Sequence, residues 1–110
     1  MSEKDERLKD VLKTLAAEFV QRESNGISLI TITDVAIADR GGRATIYFTV
    51  LPEDKVKGVL DFLKRKRAEF RDYVTEKSRI GRIPFFDFAL DIGEKNRQRI
   101  DEISGTIAAN

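Results

Sequence analysis

Residues 27–51 read ISLITITDVAIADRGGRATIYFTVL, and the fold turns on how they pair. The first half, ISLITITDVAIA, is rich in β-branched residues and alternates only in part, which predicts a strand. Asp39-Arg40-Gly41-Gly42 then supplies turn residues. The second half, ATIYFTVL, alternates without a break. Ala44, Ile46, Phe48 and Val50 fall on one face, and Thr45, Tyr47 and Thr49 on the other. Successive strand side chains point to opposite faces, so this is a hairpin with one apolar side that other elements must cover.

The covering elements lie on both sides of it. In residues 5–21, Leu8, Val11, Leu12, Leu15, Ala16, Phe19 and Val20 recur at spacings of three and four, the stripe of an amphipathic helix. Asn25-Gly26 ends that helix. After the hairpin, Pro52 stops the second strand, and Pro-Glu-Asp suits the first turn of a helix. Val56, Val59, Leu60 and Leu63 form its apolar stripe. A further helical stretch turns Phe70, Tyr73 and Val74 inward and its basic residues outward. Gly81 and Pro84 end it, and PFFDFAL predicts a third strand with Phe86, Phe88 and Leu90 toward the core. From Gly93 a last helix is expected, with Ile100, Ile103 and Ile107 inward.

The order is α-β-β-α-α-β-α. The hairpin pairs antiparallel, while a helical crossover from the second strand to the third favours a parallel neighbour, hence a mixed sheet. The expected class is α+β, a small three-stranded mixed sheet with helices on one face. At 110 residues the chain suits one domain. It contains no internal repeat, low-complexity tract or linker.

Composition excludes much chemistry. The chain is 41% hydrophobic and 35% charged, and has no cysteine and no histidine. Disulfides, thiolate ligands and the usual general base near neutral pH are therefore ruled out. Acidic neighbours such as Asp5/Glu6 and Asp101/Glu102 would point apart on a helix, and Gly41-Gly42 lacks the context of a phosphate loop. No enzyme activity, metal or cofactor is expected. No apolar run approaches the ~18 residues of a membrane span. The start, MSEKDERLKD, lacks the apolar stretch of a secretory signal, so a cytoplasmic protein is expected.

One stretch stands apart in charge. Residues 64–82, KRKRAEFRDYVTEKSRIGR, hold eight basic and three acidic residues, a net +5, whereas the whole chain carries +1. Lys64, Arg67 and Arg71 share one side of a helix by their spacing. Arg65 and Lys77 belong to the same stretch, and Arg79 and Arg82 fall in the connection to the third strand. Such a ridge could neutralise phosphates; an acidic protein surface, docked by an interaction module, would serve the same charges. Phe85 falls on the face away from the core, where a base could stack, although alternating phenylalanines more commonly pack inside.

Several segments resemble the ribosome-binding factor A family. They are the hairpin with Ala44-Thr45-Ile46-Tyr47, then Phe70-Arg71, then Arg79-Ile80 with Pro84, then Phe88-Ala89-Leu90-Asp91. The likeness runs over roughly residues 6–107, as for a divergent member. It implies a type II KH-like domain; a monomer is expected. It also implies a non-enzymatic factor that binds the immature small ribosomal subunit and its ribosomal RNA in late maturation. The Gly-x-x-Gly loop of generic KH domains is missing, as it is in that family, which has a helix kink usually written Ala-x-Gly. Here the kink aligns with Lys66-Arg67-Ala68, which leaves open how the two helices join.

Overall fold

The computed structural model describes residues 3–24, 26 and 28–93. The expected last helix, with Ile100, Ile103 and Ile107, lies outside the described residues. Helix α1 (Glu3–Glu23) precedes a hairpin of β1 (Leu29–Ala38) and β2 (Arg43–Leu51). Two consecutive helices follow, α2 (Val56–Arg65) and α3 (Arg67–Lys77), and then β3 (Phe85–Leu90). Strands β1 and β2 pair antiparallel from Leu29↔Leu51 to Ala38↔Arg43. Strand β3 runs parallel to β2 from Arg43↔Phe85 to Phe48↔Leu90, giving the sheet order β1-β2-β3. The mixed sheet and the α-β-β-α-α-β order are those expected of a type II KH-like domain.

The partial alternation of β1 has a local cause. Its register with β2 slips between Ile32 and Asp34, leaving Thr33 as the extra residue of a β-bulge. Ile30 and Ile32 before the slip, and Val35 and Ile37 after it, therefore all pack on the core side. The Thr33 hydroxyl donates a hydrogen bond to the Asp91 carboxylate. Strand β2 has no such slip, and Ala44, Ile46, Phe48 and Val50 are all buried.

The turn between β1 and β2 is a short 3-10 turn over Asp39–Gly41, with Asp39 and Arg40 both in the left-handed region. Pro52 leads into another 3-10 turn, Glu53–Lys55, so α2 begins at Val56 and not in the Pro-Glu-Asp turn itself. The junction of α2 and α3 is a one-residue break at Lys66, φ −93° and ψ 6°. The Lys66 N–H is shared between the Phe62 and Leu63 carbonyls, at 3.1 and 3.0 Å. Those dihedrals lie in the bridge region open to ordinary residues, so the break needs no glycine.

The three described helices pack on the sheet face that carries Ile46 and Phe48. Helix α1 buries Leu12, Leu15, Ala16, Phe19 and Val20; α2 buries Leu63; α3 buries Phe70, Tyr73 and Val74. Val11, expected on the buried stripe, is 39% exposed, because it lies at the margin of α1 beside the 78–82 loop. Phe70 stands at the centre of the aromatic core, its ring centroid 5.2 Å from Phe19, 4.7 Å from Phe86 and 5.6 Å from Phe88. Pro84, also buried, has no N–H to leave unsatisfied where the chain enters β3.

Tyr73 ties α3 to α1. Its hydroxyl donates to Glu18 Oε2 at 3.2 Å. Burial, and then that carboxylate, push the phenol above its ordinary value. The folded protein therefore keeps this proton at pH values where the unfolded chain starts to lose it, near ~10. The associated stability is complete below that pH and is lost as pH rises through the higher folded value. In an ultraviolet titration, Tyr73 should ionise later than a tyrosine of the urea-unfolded chain. Ionisation at the unfolded value would remove the role given to Glu18.

Candidate nucleic-acid interface

The basic stretch is distributed over three structural elements. Lys64 and Arg65 close α2, Arg67, Arg71 and Lys77 lie on α3, and Arg79 and Arg82 belong to the connection before β3. Five of the seven come together. Lys64, Arg65, Arg67, Arg71 and Arg82 line a hollow of about 640 Å³ whose floor includes Gly42, Ala68, Pro84 and Phe85. Among the described residues no carboxylate lines it. Lys77 and Arg79 stand apart, in a broader hollow with Arg7, Arg40, Val11 and Ile80, where Asp5 and Asp10 also sit. Arg82 lines both, so the seven residues form two adjoining clusters joined at one side chain.

The cations are not equally available. Lys64 Nζ and Arg67 Nη1 lie 3.5 and 3.6 Å from the same Asp87 oxygen. Arg67 Nε also donates to the Lys64 carbonyl at 3.2 Å, capping the end of α2. Lys66, central in the sequence, is held by Glu69 at 3.2 Å and Glu23 at 3.6 Å. Burial would raise the Glu23 carboxyl, but Arg22 and Lys66 outweigh it and hold the group below its ordinary range. Arg65, Arg71 and Arg82 form no ion pair among the described residues. Together with Lys64 and Arg67, which share the one Asp87 carboxylate, they give the hollow an excess of positive charge among the described residues.

Backbone geometry fixes this arrangement. The Phe85 N–H bonds the Gly42 carbonyl at 2.9 Å, which brings the 78–84 connection against the hairpin turn. A Cβ on Gly42 would stand 2.8 Å from Arg82 Nη2, so the missing side chain lets the guanidinium lie on the backbone. Phe85 is 53% exposed, as the strand alternation predicts, while Phe86 and Phe88 are buried. The guanidinium carbons of Arg43 and Arg67 each lie 5.4 Å from its ring centroid.

Arg43 was not among the residues singled out in the sequence, although it had a signal. It shares a strand face with Tyr47 and sits beside Phe85 once β3 pairs parallel with β2. Arg40 and Arg7 had none, since both reach the second hollow only through the path of the 78–82 loop.

The family model described as ribosome-binding factor A matches residues 4–104. Ribosome-binding factor A of Thermodesulfovibrio yellowstonii is 29% identical over 100 residues, covering 89% of this chain and 85% of that protein. The crystal structure of ribosome-binding factor A from Thermus thermophilus superposes with a TM-score of 0.68 at 24% identity. It covers 76% of this chain and 91% of that one. A homology model of the Thermus thermophilus factor, as fitted into a cryo-electron-microscopy map of a 30S complex with that factor, gives a TM-score of 0.66 at 24% identity, over 76% of this chain and 90% of that one. At that identity the two structures speak to the fold. With the family model matching nearly the whole length, this chain belongs to the ribosome-binding factor A family.

Proposed function

We propose that this protein is a non-enzymatic assembly factor. It binds the immature small ribosomal subunit and its ribosomal RNA during late maturation, as a cytoplasmic monomer folded as a single domain over about residues 6–107. The observation that carries the reading is the hollow between the α2–α3 junction and the entry to β3. Among the described residues five cationic side chains and no carboxylate line it, two of the five share Asp87 beside it, and the other three form no ion pair. Cations gathered in one concavity attract phosphates and displace their counterions. Family membership supports the same partner, since a relative is described in a 30S complex. Lys64, Arg65, Arg67, Arg71 and Arg82 form the main contact surface, with Lys77 and Arg79 extending it toward α1.

Cosedimentation with small-subunit particles tests the reading, using particles from maturing and from mature pools across a salt series. Preferential binding to the immature pool is expected. With about four phosphates neutralised, log affinity should fall against log salt with a slope of about −3. A flat salt dependence would remove the basic hollow from the interface. Equal binding to both pools would remove the maturation role.

A further inference from the structure

Phe85 is a large aromatic side chain that the core does not use. It is 53% exposed, while the next inward residues of the same strand, Phe86 and Phe88, are 3% and 1% exposed. Its position is nonetheless fixed. Buried Pro84 precedes it, its own N–H bonds Gly42, and it lies directly beside Arg43 in the parallel ladder. The backbone that carries the ring is therefore fixed at the edge of a cationic hollow. The Arg43 and Arg67 guanidinium groups lie 5.4 Å from the ring centroid, so a base that stacks on the ring takes the place of one of them and leaves that cation beside the RNA backbone.

We propose that Phe85 is the stacking platform for one unpaired base of a single-stranded RNA segment, whose neighbouring phosphates rest on Arg65, Arg71 and Arg82. The proposal depends on the hollow being an RNA-binding surface and adds the form of RNA it takes. An aromatic face and a row of cations match the two parts of a nucleotide at once, the base and its phosphate. An acidic protein surface would pair with the guanidinium groups as phosphates do, but its carboxylates gain nothing from the exposed ring between them, whereas a base does. A base offers its face only where it is unpaired, so a continuous duplex cannot engage the ring.

The chain contains no tryptophan, so Phe85→Trp installs a single indole at the site. The variant is titrated with a mixed-sequence single-stranded RNA octamer and with the same sequence as a duplex. Stacking on the single strand should quench the indole strongly, and the duplex should leave it nearly unchanged. In parallel, Phe85→Ala should weaken single-strand binding about tenfold or more, with Phe85→Tyr close to the parent. Matching urea midpoints for the three variants confirm that they are folded. If the octamer binds with unchanged indole emission and Phe85→Ala binds like the parent, the proposal fails while the basic hollow stands. If the parent binds neither RNA, the proposal and the RNA reading of the hollow fail together. Emission that responds to ribosomal proteins and not to RNA overturns the proposal in favour of a protein partner.

Discussion

Phe70→Ala should lower the unfolding free energy by about 3–5 kcal/mol, the range for deleting a fully buried phenylalanine. The upper half of that range is expected, because the ring is wholly buried, meets Phe86 edge to face and packs at a tilt against Phe19 and Phe88. Aromatic pairs of this kind each add about 0.5–1.5 kcal/mol beyond area burial. The three neighbours come from α1 and β3, so the cavity left behind cannot close by a shift of one element. Against a domain stability of about 5–15 kcal/mol, much of the folded population is at risk. Equilibrium urea unfolding of parent and variant measures the difference. A loss below ~1 kcal/mol would mean that α3 is not the keystone between α1 and β3. Phe88→Ala removes fewer ring contacts and should fall nearer ~3 kcal/mol.

The second large effect concerns binding. Replacing Arg65, Arg71 and Arg82 together by Glu should abolish association with small-subunit particles at physiological salt while leaving the urea midpoint nearly unchanged. These three are chosen because none is tied to a carboxylate among the described residues, so no internal pair is broken. Each reversal turns an attraction for phosphate into a repulsion, and about three fewer phosphates are neutralised. At ~0.7–0.9 per phosphate, any residual salt slope should flatten by about 2–3. Lys66→Glu, by contrast, should disturb the contacts to Glu23 and Glu69 and change binding much less. Undiminished binding by the triple variant would place the interface elsewhere on the molecule.

Much of the fold was legible because one sheet face is buried and the other is not. The unbroken alternation from Ala44 to Val50 could only be a half-covered strand, and Pro84 marked the start of β3. The first strand was less clear for a physical reason. The bulge at Thr33 moves the apolar residues by one place, so that two short alternating runs sit out of phase. The helix junction could not be settled from composition, because a backbone in the bridge region at Lys66 does what small residues do elsewhere.

The candidate site was legible as a charge excess but not as a surface. Counting treats eight basic residues alike, whereas folding ties Lys66 to α1 and sets Lys64 and Arg67 on Asp87. The same folding recruits Arg43 from a strand far away in sequence. Those pairings depend on tertiary path, above all on the loop from Ser78 to Pro84, and no local pattern encodes them.

The parallel pairing of β3 with β2 has a consequence for when the surface exists. The cations of α2 and α3 are close in sequence and can be near one another in any partly folded chain. Phe85 and Arg82, however, reach Arg43 and Gly42 only when a long loop has closed and the last described strand has docked. Non-local parallel contacts are slow to form, because the entropy of closing the loop is lost before the contacts are gained. A nascent or half-folded chain therefore has the charge of the finished protein without its concave recognition surface. Any ligand that binds the assembled hollow in turn favours the docked strand by mass action. Recognition by this surface thus reports on the completeness of the fold that presents it.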